Sequence, residues 1–460
     1  MEKLSAIILA AGAGTRMKSD KPKVLHEACG KPLVEWVCDA VYGAGVEDCI
    51  TVVGHKAKMV RDYLGDKVQF ALQEQQLGTG HAVMQAKHLL QDKQGHVVIL
   101  NGDAPLVQSD TIQKALQSHI AEKNAVTVLT AELSDSTGYG RIVRNEAGHV
   151  TQIIEQKDAT IKQRDIKEVN SGIYCFNISN LLVALAKLSN ENAQGEYYLT
   201  DTIEILIKDK HNVGAVKIEN ASELLGVNDR KQLWHVQQLL NQNIIHKHMD
   251  NGVTFIDPNN TYIDGDVEIK SDTVIYPGCI LQKATKIGHN CIIGPNSQII
   301  GCTIEENVEI KHSVLLDSYV SAHTKVGPFA YLRPGSHIGK NVKIGDFVEV
   351  KNAKVGDNTK ISHLSYVGDA ELGKNVNMGC GTVVVNYDGK QKHKTTIHDN
   401  AFVGCNVNLV SPVIVNENAF IAAGSTITEE VPKDALAIAR ERQTIKKDWV
   451  KKRSGQDDTV

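Results

Sequence analysis

The chain has 460 residues, 42% hydrophobic and 23% charged, with a formal net charge of −4. That length exceeds the usual size of one domain, so two or more are expected. The balance of charge leaves no basic footprint for nucleic acid, and no stretch approaches the ~20 apolar residues of a membrane span.

Aromatic residues are scarce at 5%, while glycines number 37. This pair suits many tight turns and few large core side chains. Nine cysteines are scattered without CxxC pairs. They read as reduced thiols of a cytoplasmic protein. The apolar run Leu4–Ala11 is short and leads into a glycine-rich turn and Arg16. It reads as a buried strand rather than a secretion signal.

Residues 1–228 alternate strand-like and helix-like segments. Ser5–Leu9, Cys49–Val53 and His96–Leu100 read as buried strands, and Pro32–Tyr42 and Thr79–Leu90 as helices. The alternation predicts a mostly parallel α/β sheet flanked by helices, Rossmann-like in class. In residues 229–250, Leu233, Val236, Leu240 and Ile244 recur at helical spacing, with Gly252 placed to cap the end. A connecting helix is expected there.

From residue 251 onward a different period governs the chain. Ile263, Ile269, Ile275, Leu281, Ile287, Ile293 and Ile299 fall every six residues. The phase slips to Ile304 and Ile310. It restarts through Val326, Leu332, Ile338, Ile344 and Val350, and again through Val355, Ile361, Val367, Leu372, Met378 and Val384. After an interruption at 385–396 it returns from Ile397 to Ile427. Six is neither a helical period nor that of a long strand. It means short flat sides joined by turns, with one inward aliphatic residue per side. Stacked coils then bury a continuous column, so residues 251–460 are expected to form a parallel β-helix.

The first strand runs into Leu9-Ala10-Ala11-Gly12-Ala13-Gly14-Thr15-Arg16-Met17. Small residues let backbone N–H groups approach a phosphate or base, and Arg16 and Lys23 can meet its charge. By itself this is equally an ordinary tight turn. It is not a P-loop, because no GK[ST] closes it. Together with Lys21-Pro22-Lys23, the segment resembles the signature of the sugar-1-phosphate nucleotidyltransferase family. Gln73 and the stretch Leu77-Gly78-Thr79-Gly80 are similar to that family's base-recognition segment. Asp103 resembles its metal-binding aspartate. The resemblance implies that Gly140, Glu155, Asn170 and Asn228 meet sugar and metal. Asp103 and Asn228 are oxygen ligands suited to Mg²⁺. Asp103 is otherwise a helix cap, and Asn170 and Asn228 are otherwise turn residues.

In the β-helix, Arg333 and Lys351 are one three-sided coil apart, so both can share a face and clamp a sugar phosphate. His363 can take a proton from an ammonium acceptor. The repeat resembles the left-handed β-helix of hexapeptide acyltransferases. Nearly end to end, the sequence resembles the family of bifunctional N-acetylglucosamine-1-phosphate uridylyltransferase/glucosamine-1-phosphate acetyltransferases. That resemblance implies UTP and acetyl-coenzyme A as co-substrates and Mg²⁺ as cofactor. It implies His363 as base. It implies that Arg333, Lys351, Tyr366, Asn377, Asn386, Tyr387, Ala423 and Arg440 contact sugar phosphate or coenzyme. Cys380 stands where the family pattern has Ala, and Cys405 where it has Ser. A homotrimer through the β-helix is implied, and a basic tail at Arg440–Arg453 that meets coenzyme phosphates. Two other readings are a nucleotidyltransferase with a non-catalytic β-helix, and a zinc site among His312, His323, His337, His363, His393 and His398.

Overall fold

The computed structural model describes residues 3–454. It divides into two compact units, Met1–Asn243 and Ile244–Val460. The last six residues of the expected C-terminal domain, 455–460, lie outside the described residues.

The first unit is built on nine strands: β1 (Leu4–Ala10), β2 (Asp48–Val53), β3 (Gln69–Leu72), β4 (His96–Asn101), β5 (Val126–Glu132), β6 (Arg141–Arg144), β7 (Val150–Ile154), β8 (Glu168–Asn177) and β9 (Val213–Lys217). The main path runs β9-β5-β8-β4-β1-β2-β3, and β6 joins β8 to β7 at one side. β1 pairs in parallel with both β2 and β4. β8 runs antiparallel to its neighbours β4 and β5. Alternate residues of one strand pack on opposite faces. Ile7, Val97 and Ile99 join one core cluster, whereas Ala6, Ile8, Val98 and Leu100 join the other. A sheet covered on both faces needs such continuous apolar strands.

The expected helix over 79–90 is two helices, Thr79–Gln85 and Lys87–Leu90. Ala86 is fully buried between them, and its N–H donates to the Val83 carbonyl in a tighter turn. The helix expected at 229–250 spans Arg230–Asp250. The first unit extends past residue 228, to Asn243 within this helix. Arg230 Nε bonds the Met17 carbonyl at 3.3 Å, while Ile245 lies in the core of the second unit. Gly252 follows with φ +86° and donates its N–H to Met249 at 2.9 Å.

The second unit winds three parallel sheets of 11, 10 and 9 strands, each strand pairing with the one a full coil later. This is the β-helix expected from the period, consistent with its left-handed form. Every aliphatic residue of the six-residue series is buried, each contributing about 1.5–3 kcal/mol on leaving water. The phase slips are sides of five residues. Leu315 and Val320 fill the stretch after Ile310 where the period was lost, and both are fully buried. Corners are held by left-handed residues, mostly Asn and Asp, such as Asn290, Asn307, Asn341 and Asn358. These side chains tolerate that region best after glycine. Neighbouring corners bond one another, as in Asn290 Nδ2 to Asn307 Oδ1 at 2.6 Å. Buried hydroxyls satisfy the turns: Thr324 Oγ1 donates to Gly339 and accepts from Val342 N–H.

Candidate functional sites

In the first unit, a cavity of about 710 Å³ opens at the carboxyl ends of β1 and β4. These adjacent strands flank the point where the strand order reverses, the usual place for a ligand in an open α/β sheet. Leu9, Ala10, Ala11 and Gly12 leave β1 there, and Asp103 follows β4. Arg16, Lys23, Gln73, Gly78, Thr79, Gly140, Glu155, Asn170 and Asn228 line the same cavity. All the residues expected at a nucleotide site in this half are therefore brought together.

Local folding explains their aim. Gly14 holds φ +61°, and a Cβ on it would sit 2.6 Å from Lys23 Cβ. Its bare backbone lets the glycine turn lie against the Lys23 segment. Gln73 Nε2 donates to the Gly78 carbonyl at 3.2 Å, fixing its amide at the cavity wall. Thr79 Oγ1 accepts from Leu199 N–H at 3.1 Å. Asn170 Nδ2 donates to the Tyr174 hydroxyl at 2.6 Å, and its Oδ1 accepts from Gly172 N–H. Glu155 accepts from Thr200 Oγ1 at 3.3 Å. Burial pushes its carboxyl up, with Asp201 and Asp158 adding to the effect.

Lys23 is the centre of the polar cluster. Its ammonium pairs with the Asp103 carboxylate and reaches Asn228 Oδ1 at 3.2 Å. The two oxygens thus converge on one cation-sized point. Both are hard donors, and their number leaves room for phosphate oxygens and water in an octahedral shell. The donor set therefore fits Mg²⁺. Sequence reasoning missed Gln76, Asn101, Tyr174, Thr200 and Gln232, which also line the cavity. Gln232 accepts from Asn228 N–H at 2.8 Å and lies one turn away on the following helix. That spacing was the available signal.

In the second unit the polar residues form a strip along one side of the coil. Leu332 pairs with Val350, which puts Arg333 and Lys351 at equivalent positions of adjacent coils. Arg333 is bonded to Glu349 at 2.9 Å. Lys392, within hydrogen-bonding reach, holds the Lys351 ammonium below the usual lysine range. The strip therefore concentrates positive charge. One coil on, Gly368 occupies the place equivalent to Lys351. A Cβ there would lie 2.4 Å from the Tyr366 hydroxyl and 2.9 Å from Asn386 Nδ2. The missing side chain lets Tyr366 and Asn386 meet above the lysine. Asn386 also donates to Asp369 at 2.6 Å.

His363 ends a strand of the preceding side, at the corner that leads into Tyr366, with Asp346 one coil before it. Nδ1 lies 2.5 Å from Asp346 Oδ1, and this hydrogen bond holds the Asp346 carboxyl below its usual range. The pairing directs Nε2 away from the carboxylate. Asn377 is half-buried on the preceding side. Cys405, Ala423 and Arg440 are exposed on later coils, and Cys380 is half-buried. Tyr387 does not join the strip by its hydroxyl, which donates to Gly389 at 2.7 Å within the loop of the interruption. Asp346, Glu349, Asp369 and Lys392 were missed from sequence. Spacing of 17 residues, one coil, ties Asp346 to His363 and was legible. Lys392 lies in the interruption, where no register places it. Among the described residues, no group of three or more His, Cys, Asp or Glu could hold a metal ion.

Residues 5–235 match the nucleotidyl transferase family model. Residues 266–301 match the bacterial transferase hexapeptide model, and 316–437 match the GMPPB C-terminal domain model. The chain is 61% identical over 453 residues to the bifunctional protein GlmU of Acetivibrio thermocellus, covering 98% of each. It is 56% identical to that of Caldanaerobacter subterraneus subsp. tengcongensis, covering 98% of this chain and 99% of the relative. To that of Clostridioides difficile it is 52% identical, covering 98% of each.

Proposed function

The chain belongs to the bifunctional GlmU family, and from that premise we propose how its two sites divide the work. It is a bifunctional transferase that makes UDP-N-acetylglucosamine. The β-helix acetylates glucosamine 1-phosphate from acetyl-coenzyme A. The N-terminal unit then joins N-acetylglucosamine 1-phosphate to UMP from UTP, releasing pyrophosphate.

The observation that carries the acetyl-transfer reading is the His363–Asp346 pair at the corner that leads into the side bearing Arg333 and Lys351. Arg333, Lys351 and Lys392 take the sugar phosphate. Tyr366 and Asn386 bond the sugar, with Asn377 and Tyr387 beside them. Asp346 accepts the Nδ1 proton of His363, so Nε2 is the basic nitrogen facing the acceptor. It removes a proton from the sugar ammonium, and the free amine attacks the thioester carbonyl. The coenzyme lies along the corners at Cys380, Cys405 and Ala423, and Arg440 with the basic tail meets its phosphates.

In the N-terminal cavity, the backbone of Leu9–Gly12 and the Gln73, Gly78 and Thr79 cluster hold the uridine. Gly140, Glu155 and Asn170 hold the sugar. Arg16 and Lys23 offset charge as the sugar phosphate oxygen attacks the α-phosphorus in line. Mg²⁺, when bound, would be held by Asp103 and Asn228 and would supply positive charge against the two anions that must meet.

A homotrimer through the β-helix and a cytoplasmic location complete the proposal. No helix among the described residues is long and apolar enough to cross a membrane. The direct test is thiol release from acetyl-coenzyme A by pure protein with glucosamine 1-phosphate. Release above background is expected, and its absence removes the acetyl-transfer claim. A panel of the four nucleoside triphosphates tests the preference for UTP.

A further inference from the structure

We propose that Cys380 and Cys405 form an oxidisable thiol pair that shuts the acetyl-transfer site while leaving uridylyl transfer running. Seven of the nine cysteines are buried; Cys380 is half-buried and Cys405 is exposed. The two share one corner of adjacent coils. Asn377 and Met378 pair with Phe402 and Val403, which puts Cys380 level with Cys405. Asn406 N–H donates to the Cys380 carbonyl at 2.7 Å. Paired strands stand about 4.8 Å apart, inside the ~4.4–6.8 Å between Cα atoms that a disulfide spans. A Cβ on Gly379 would lie 2.5 Å from the Cys405 nitrogen, so the bare glycine is what lets these corners close up.

The same corner carries the proposed base. Ile361 pairs with Met378, which puts His363 level with Cys380 one coil earlier. Val403 pairs with Ile421, which puts Ala423 level with Cys405 one coil later. His363, Cys380, Cys405 and Ala423 therefore form one column. The inference rests on the proposed path of the coenzyme along that column, with its thioester at His363.

The coenzyme is a thiol, so its symmetric disulfide is an oxidant shaped for this path. The thiolate of Cys405 attacks one sulfur of that disulfide. The S–S bond breaks, and one coenzyme thiol leaves with the proton that Cys405 gave up. Cys380 then attacks the Cys405 sulfur of the mixed disulfide, with His363 placed to receive its proton. A second coenzyme thiol leaves. Two cysteine thiols are oxidised to one disulfide, and one coenzyme disulfide is reduced to two thiols. Both the adduct and the final bridge lie across the acyl path.

The full chain is treated with coenzyme A disulfide, followed by intact mass, peptide mapping and both activities, then by dithiothreitol. The expected result is a Cys380–Cys405 bridge and a loss of acetyl transfer in proportion to the bridged fraction. Reductant restores it, and uridylyl transfer is unchanged throughout. Cys380→Ala should stop at a coenzyme adduct on Cys405. Each variant is scored against its own untreated sample. Absence of any bridge or adduct at these positions overturns the thiol pair. Equal oxidative loss in the doubly substituted Cys380→Ala, Cys405→Ser protein does the same. A bridge that forms without loss of acetyl transfer overturns the coenzyme path instead, and the inhibitory role with it.

Discussion

The cavity of the N-terminal unit draws on Leu9 and Asn170 within strands β1 and β8, and on Gln73, Asp103, Gly140 and Asn228 in loops between elements. The polar surface of the β-helix draws on Arg333 and Lys351 from one side and on Asp346 and His363 from the adjoining side, all on consecutive coils. In the first case, site residues meet only after the whole sheet has assembled and its loops have closed. In the second, each residue's position follows from its number in the repeat. A repeat fold turns sequence spacing into spatial register because each coil contacts mainly its neighbours. An α/β sheet has no such ruler, and its site depends on strand order. The functional surfaces differ accordingly: an open cavity at the strand ends in one unit, an outward-facing polar surface in the other.

If the sites are separate, single substitutions should divide the two activities. His363→Ala is expected to lower acetyl transfer by about 10²–10⁴-fold and to leave pyrophosphate release from UTP intact. Asp103→Ala is expected to do the reverse, lowering uridylyl transfer by about 10²–10³-fold. Parallel assays on each well-folded variant check both, and loss of both activities from either change would break the comparison. Asp346→Asn keeps shape but removes the carboxylate that orients His363. A drop of about tenfold in acetyl-transfer kcat is expected, by analogy with the loss of a partner that orients a histidine. An altered pH–rate profile should accompany it, which a purely structural change would not produce.

Stability experiments sharpen the same contrast. Asn358 holds φ +61° at a β-helix corner and accepts from Asn341 Nδ2 at 3.3 Å. Asn358→Val is expected to cost about 1–2 kcal/mol, and Asn358→Gly less, read from denaturant unfolding of the β-helix. In the N-terminal unit, burial pushes the Asp201 carboxyl up to about 6, helped by Glu204 and Asp158. The folded chain then binds more protons than the unfolded one between the ordinary value of 3.8 and about 6. Stability therefore falls as pH rises through that window. Asp201→Asn should raise the melting temperature of this unit by about 2–4 °C near pH 7.5. It should give no gain near pH 4, where the native carboxyl is already protonated, and calorimetry at both pH values decides.

Particular residues show how far the sequence could be read. Strands β1, β2 and β4 were legible within a residue at either end, because continuous apolar runs between turns leave little choice. The antiparallel course of β8 was not, since strand direction leaves no mark on a short buried run. The break at Ala86 was hidden because no Gly or Pro marks it. In the β-helix, Leu315 and Val320 escaped the period because their sides hold five residues, while the core still demanded an aliphatic residue at each. Glu349 and Asp369 escaped for another reason: outward charged residues carry no periodic signal, and only their neighbours reveal their use.

A six-residue repeat after an α/β half, the aliphatic residues that face inward, and the motifs that carry the family resemblance were all readable along the chain. Those features are local, fixed by side-chain spacing and turn chemistry. Tertiary structure alone decided that Asp103 and Asn228 converge on Lys23, that Lys392 reaches Lys351 from the interruption, and that Tyr366 and Asn386 meet over Gly368. Those meetings join segments distant in sequence, and only strand order and loop closure bring them within hydrogen-bond range. The column His363, Cys380, Cys405 and Ala423 lies between the two cases. Its spacing was in the sequence, but the unequal lengths of the sides and the inserted loop hid the register until the coils were stacked.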